Sequence, residues 1–135
     1  MQLDINQYLD DNQNGFRQHR STRDNLIILR WCIDIILTNN VDKLLMLIDY
    51  KAAFPSVAHN FILLSLIDAR VKNKHIWLIK LILKEARLRY KLSDDDYGHW
   101  IAVCRGILQG DVVNPILFCV TLCYIKRITR YLNTN

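Results

Sequence analysis

Residues 44–49, LLMLID, form a short continuous apolar run that ends at a carboxylate, and this stretch decides the predicted fold. The run is shorter than an ordinary helix, and its flanks are polar, so it predicts a β-strand buried on both faces. A carboxylate at the end of a buried strand is costly unless something compensates its charge. Two interpretations of Asp49 stay open on these grounds: a ligand for a metal ion beside a cleft, or a cap for the following turn.

The chain before this run contains one predicted helix. Asn14 and Gly15 signal a turn, and Ser21 with Asp24 forms a Ser-x-x-Asp capping pattern of the kind that starts a helix. Apolar residues then recur at helical spacing as far as Asn39: Leu26, Leu29, Ile33 and Ile36. The pattern therefore predicts a helix that begins at about Ser21.

Three further helices and a hairpin are predicted after the run. Pro55 is expected to break any regular element. Apolar spacing predicts helices over residues 56–70, over residues 75–88 and from Pro115 to about residue 131, the first with four residues inward: Ile62, Leu63, Leu66 and Ile67. Residues 89–92 and 100–104 predict two strands, joined by a turn at residues 93–98. This order of elements predicts an α+β fold.

The composition limits the class of protein. The 135 residues fit one domain or part of a larger one, and the 51% that are apolar exclude a disordered tail. The net charge of +5 suits an anionic partner such as nucleic acid, although many basic proteins bind none. Much of this charge lies in residues 72–91, where it forms either a solvated helix face or a face that contacts phosphates.

The four cysteines predict no zinc site, because none forms a Cys-x-x-Cys pair and no histidine pair completes a zinc pattern. Cys119 and Cys123 lie four residues apart in an apolar stretch, so we expect them to share a helix face as small core residues. The polar first fifteen residues predict no secretory signal, and no apolar run reaches membrane-spanning length. A reducing intracellular setting is expected.

Three segments carry motifs, in a fixed order along the chain. Residues 13–24 (QNGFRQHRSTRD) contain Gly-Phe-Arg-x-x-Arg-Ser-Thr-x-Asp, the fingers motif. Residues 47–57 (LIDYKAAFPSV) contain an apolar strand, Asp, four residues, an aromatic residue, one residue and Ser-Val, which we call motif A. Residues 106–118 (GILQGDVVNPILF) are similar to Gly-x-x-Gln-Gly-Asp-x-x-Ser-Pro-x-Leu-Phe, which we call motif B. Together they resemble the reverse transcriptases of non-LTR, LINE-like retrotransposons, from about residue 13 to residue 124.

The resemblance implies part of a right-hand polymerase. The fingers segment would span about residues 1–43, and the palm with motifs A and B about residues 44–135, with helices packed on a palm sheet like that of an RNA-recognition motif. The implied activity is that of an RNA-directed DNA polymerase. Its partners would be an RNA template, a DNA primer and deoxynucleoside triphosphates. A remainder of the polymerase, with or without an endonuclease domain, would complete it. Because such enzymes act on chromosomal DNA, the resemblance also implies a nuclear or cytoplasmic location.

The resemblance also implies roles for individual residues. Asp49 would be a catalytic carboxylate and a ligand of Mg²⁺, or of Mn²⁺ in its place; the family uses two such ions, each of which needs several oxygen ligands. Phe54 would be the steric gate that excludes a ribose 2′-hydroxyl. Without the resemblance, the sequence favours an ordinary core aromatic residue at this position. The other implied nucleotide-binding residues are Tyr50, Gln109 and Gly110. Arg17 and Arg20 would contact nucleic-acid or triphosphate phosphates, or else are solvated surface residues.

The chain departs from the family pattern in several places. The Tyr-x-Asp-Asp motif that should follow motif B does not occur before residue 135. Residues 94–96 (DDD) do not replace it, because they precede motif B and read as a solvated turn. Pro55 stands where LINE-like enzymes usually carry a second Asp, and Asn114 stands in place of Ser.

These departures predict a fragment that does not polymerise DNA by itself and that exposes an unpaired sheet edge. The alternative from a different class is a non-catalytic, nucleic-acid-binding relic of a retroelement. A third reading is another member of the wider family, such as a group II intron maturase.

Overall fold

A computed structural model describes residues 5–39, 42–108, 110 and 112–133. This part of the chain is mostly helical and contains one small antiparallel sheet, which confirms the predicted mixture of helices and strands. The elements in chain order are α1 (Ile5–Tyr8), α2 (Thr22–Asn39), α3 (Ala53–Ser56), α4 (His59–Asp68), α5 (Asn73–Glu85), β1 (Arg87–Leu88), β2 (Ile101–Ala102) and α6 (Asn114–Asn133).

The core lies between α4 and α6, with α5 and α1 packed at its sides. Ile62, Leu66 and Val120 are almost completely buried there, and burial of each such side chain contributes about 1.5–3 kcal/mol. Two hydroxyls at the same interface are satisfied, since Ser65 donates to the Ile62 carbonyl at 2.7 Å and Thr121 donates to a carbonyl of its own helix. The core therefore carries no unpaired side-chain polar atom among the described residues.

Small sulfur-bearing residues on α6 let the segment before α2 approach closely. Cys119 and Cys123 are both buried, as predicted. The Cys123 sulfur accepts a hydrogen bond from the backbone N–H of Asp10 at 3.4 Å, and the Cys119 sulfur accepts one from the Gln13 amide at 3.5 Å. The Cys119 thiol also lies 3.5 Å from the carbonyl of Gly15 and donates to it. Residues 10–15 are thereby fixed along α6.

The prediction for residues 44–48 is wrong in this structure. These residues form neither a strand nor part of the core, and Leu44 and Leu47 are 87% and 79% exposed. A strand of this kind needs paired neighbours and apolar cover on both faces. The described residues provide neither around this segment, because their sheet consists of β1 and β2 alone.

The helix predicted over residues 56–70 is divided in two. Pro55 lies inside α3, in a first turn where its missing N–H is not needed, so it does not break that element as expected. The break falls instead at Val57 and Ala58, which are extended. Both bond to the chain at the start of motif B: the Val57 carbonyl accepts from the N–H of Gly106 at 2.7 Å, and Ala58 forms an antiparallel bridge with Arg105. Pairing across the chain overrides local helix propensity here.

Other sequence predictions are confirmed with adjusted boundaries. At the start of α2, the Ser21 hydroxyl accepts from the N–H of Arg23 at 3.1 Å and the Asp24 carboxylate accepts from the N–H of Ser21 at 3.0 Å, which completes the predicted capping box. The predicted hairpin forms, with β1 paired to β2 and a bridge between Lys91 and Tyr97 closing its turn. The regular strands are only two residues each: β1 lies just before the predicted residues 89–92, and β2 lies within the predicted residues 100–104.

Two of the predicted inward faces are only partly buried. Ile62 and Leu66 are in the core, but Ile67 is 58% exposed, and α2 buries none of its residues fully. The total accessible surface is 11119 Å², whereas a compact monomer of this mass exposes roughly 7,000 Å². Much of the surplus is apolar and lies on α2, on residues 44–48 and on the outer face of α5. Within the described residues no helix has the length and hydrophobicity needed to cross a bilayer.

Asp10 links the segment before α2 to α6 through charge, which predicts a pH dependence. Its hydrogen bond from Lys126, followed by the bond from the backbone of Asn12, lowers the pKa of Asp10. This contribution to stability is present above the ordinary pKa of about 3.9 and is lost as pH falls through the lowered folded-state value. We expect Asp10→Asn to reduce the free energy of unfolding by about 1 kcal/mol at pH 7.

Urea unfolding at several pH values measures this effect. The difference between Asp10→Asn and the unaltered chain should shrink below pH ~4. Asp95→Asn, in the exposed turn of the hairpin, is the matched control and should show no such loss. A difference that stays constant down to pH ~2 would contradict the ion-pair interpretation.

Candidate functional site

The three motifs meet at a group of aromatic rings. Phe54 of motif A stacks on Phe118 of motif B, with ring centroids 4.2 Å apart and ring planes 17° from parallel. Phe16 of the fingers motif contacts Phe54 edge-on, at 6.0 Å and 83°. Both arrangements are favourable for aromatic quadrupoles. Segments separated by dozens of residues in sequence therefore contact one another through one phenylalanine each.

Backbone hydrogen bonds also join motif A to motif B. The N–H of Ile107 donates to the carbonyl of Phe54 at 2.9 Å, beside the bond from Gly106 to Val57. Gly106 has a φ of +91°, and a Cβ added to it would lie 2.7 Å from the backbone of Pro55. Only glycine fits this approach, so the first residue of motif B is required by contact with motif A.

Asp49 and Tyr50 lie in the irregular segment before α3, and both are exposed. Within the part of the chain that is described, no group of three or more His, Cys, Asp or Glu residues could hold a metal ion. The described residues therefore do not fit a two-magnesium site, since Asp49 is one carboxylate where such a site needs several.

Tyr50 lines an apolar cleft of about 330 Å³ between motif A and α6. Phe61 and Phe118 form part of the wall of the cleft, as do Leu122 and Ile125 further along α6. The cleft lies beside the stacked rings, because Phe118 belongs to both. The motif A segment therefore borders an open apolar cleft and not a closed core.

The predicted nucleotide-binding residues of motif B are only partly placed. Gln109 lies outside the described residues. Gly110 is exposed with a φ of +101°, and a Cβ there would meet nothing within 4 Å. Asn114, which replaces the family's Ser, donates a hydrogen bond from its side-chain amide to the carbonyl of Leu108. The substituted residue thus closes the motif B loop onto the start of α6.

Arg17 and Arg20 are used inside the chain. Arg17 donates to the carbonyls of Asp10 and Gln13 at 2.9 and 3.3 Å. Arg20 donates to the backbone carbonyl of Asp11, to the carboxylate of the same residue at 3.1 Å and to the side chain of Asn14 at 3.3 Å. Both side chains brace residues 10–14, and their contact with phosphates stays a prediction.

The sequence analysis did not single out Phe16 or Phe118. Both were visible in the motif strings, in Gly-Phe-Arg and in Pro-x-Leu-Phe. Only their common contact with Phe54 shows that they belong to the same site.

Comparison with known proteins identifies the family. Residues 1–132 match the family described as Reverse transcriptase (RNA-dependent DNA polymerase), so the chain belongs to that family. It is 31% identical, over 87 residues, to the "Retrovirus-related Pol polyprotein from type-1 retrotransposable element R2" of Nasonia vitripennis. The aligned part covers 61% of this chain and 8% of that relative, and it supports assignment to the non-LTR retrotransposon type. No solved structure matches the chain.

The close approach at Gly106 predicts a graded set of glycine substitutions. Gly106→Ala should destabilise the chain by about 3 kcal/mol or more, because it adds both backbone strain and a clash with Pro55. Gly110→Ala adds strain alone and should cost about 1 kcal/mol. Gly98→Ala, whose Cβ would meet only an ordinary contact at 3.7 Å, should stay within about 0.5 kcal/mol. Urea unfolding measures all three; equal losses for Gly106 and Gly110 would contradict the clash.

The bracing role of Arg20 predicts a structural loss on its removal. Arg20→Ala should lower the free energy of unfolding by about 1 kcal/mol or more, because it removes bonds to Asp11 and Asn14. Arg23→Ala, an exposed arginine at the start of α2, is the control of equal charge and should change stability by about 0.5 kcal/mol or less. Thermal or urea unfolding measures both, and identical stabilities would contradict the role.

Proposed function

We propose that this chain provides part of the nucleotide-selecting site of an RNA-directed DNA polymerase, one that copies an RNA template onto a DNA primer. The observation that carries the proposal is the contact of all three motifs around Phe54. Three motifs that had no common role in a site would have no reason to contact the same aromatic ring. Membership of the reverse transcriptase family supports the same reading.

In this proposal Phe54 is the steric gate. Its ring is half-buried and stacks on Phe118, which also lines the cleft beside the exposed Tyr50. A fixed ring excludes the 2′-hydroxyl of a ribonucleotide by contact, while a deoxyribose fits beside it. Tyr50, Gln109 and Gly110 are proposed as further contacts of the incoming nucleotide.

Asp49 is proposed as a single ligand of a divalent ion, Mg²⁺ or Mn²⁺. Its exposed position leaves its oxygens accessible, and magnesium prefers such hard ligands. The described residues supply no complete metal site around it, so we derive no catalytic step through a metal.

A second proposal is a binding role without catalysis. The net charge of +5 and the exposed lysines on and beside α5 favour it, since such a surface attracts phosphates whatever their sequence. These lysines are Lys72, Lys74, Lys80 and Lys84. The two proposals differ in whether primer extension depends on Asp49.

Primer extension tests this dependence. The purified 135-residue chain should bind an RNA–DNA primer–template with an affinity that falls as salt rises, and it should not extend the primer. A protein expressed through the codons that follow Asn135 in its transcript should extend the primer if those codons encode Tyr-x-Asp-Asp. Asp49→Asn should then reduce the rate at least about a hundredfold.

Two results would overturn parts of the proposal. Robust extension by the 135-residue chain would contradict its predicted inactivity. Extension by the longer protein that is indifferent to Asp49→Asn, compared with Asp95→Asn as the control carboxylate, would remove Asp49 from the site. A transcript that stops or loses its frame after Asn135 would favour the binding role.

A further inference from the structure

Phe16 adopts a backbone conformation that a bulky side chain rarely occupies. Its φ is +57°, in the left-handed region. Such a conformation costs free energy and persists only where the surrounding structure enforces it. The surroundings do so on both sides: Gly15 is bonded through its carbonyl to Cys119 and Gln13, and Arg17 is bonded to the carbonyls of Asp10 and Gln13.

The strain does not serve burial of the ring. Phe16 is 61% exposed, although a phenylalanine forced into an unusual conformation for the sake of core packing would be buried. The contact that the conformation produces is the edge-on approach to Phe54. Phe118 already stacks on Phe54, so two neighbours in different orientations pack against the same ring. Phe118 lies nearly parallel to the Phe54 ring, and Phe16 lies nearly perpendicular to it.

We propose that Phe16 is a positioning residue for sugar selection, which acts by holding the Phe54 ring in place. The inference rests on the proposed function, in which Phe54 is the steric gate. A pocket of apolar contacts discriminates only weakly against one added hydroxyl, by about a hundredfold. Such discrimination requires that the Phe54 ring does not move when a ribonucleotide binds. A ring free to shift sideways would admit the 2′-hydroxyl. Selectivity therefore depends on the fingers motif as well as on motif A.

Nucleotide binding by the full chain tests this role. Saturation-transfer NMR with Mg²⁺ compares dCTP and CTP, which differ only in the 2′-hydroxyl. The unaltered chain should prefer dCTP by about tenfold or more. Phe16→Leu keeps the apolar character and the backbone strain but removes the ring edge, and it should reduce that preference at least about threefold through tighter CTP binding. Phe16→Tyr retains the ring edge and should keep the preference.

Controls separate positioning from general damage. Trp31→Leu removes an aromatic ring that is 68% exposed on α2 and should leave the preference unchanged. Phe16→Met serves as a second ring-deleting variant, and circular dichroism confirms that each variant is folded. An unchanged preference in both ring-deleting variants, or an equal loss of dCTP and CTP binding, would overturn the positioning role alone. Absence of nucleotide binding, or of any preference, in the unaltered chain would overturn the proposed gate and this inference with it.

Discussion

The backbone of Gly106 passes so close to Pro55 that no side chain fits between them. This approach allows the bonds from Gly106 to Val57 and from Ile107 to Phe54, which in turn interrupt the helix after α3. Because α4 begins only after that interruption and α6 begins within motif B, the position of the α4–α6 core depends on the same contact. Phe54, the central ring of the aromatic group, is the residue before Pro55 and accepts one of these bonds. One steric constraint thus links the fold to the site.

Local signals predicted the parts of the fold that local physics determines. The capping box at Ser21, the buried pair of cysteines on α6 and the hairpin turn all depend on residues close in sequence, and each is confirmed. The strand at residues 44–48 depends on neighbours that the described chain does not supply, so its apolar pattern was no guide to its burial. The extended pair Val57 and Ala58 depends on pairing with distant residues and left no local signal.

In the site, too, some features could be predicted from local sequence and others depend on contacts between distant residues. The family resemblance made Phe54 and Asp49 candidate site residues, but the motifs alone could not show that Phe16 and Phe118 contact the same ring. Nor could it show that Arg17 and Arg20 donate to carbonyls of the preceding turn, because such contacts depend on the path of residues 10–14. The apolar surplus on α2, α5 and residues 44–48 marks surfaces that favour contact with further protein.

The segment that holds Phe16 in place is itself held by contacts between residues far apart in the sequence. Asp10 bonds to Cys123, 113 residues away, and to Lys126, 116 residues away. Contacts of such separation form late, because a long loop must close before they contribute. During synthesis the segment that carries the fingers motif can make these contacts only after α6, more than 100 residues later, has been made. Of the three motifs, the fingers motif is made first, yet it is held in place only after α6 has formed.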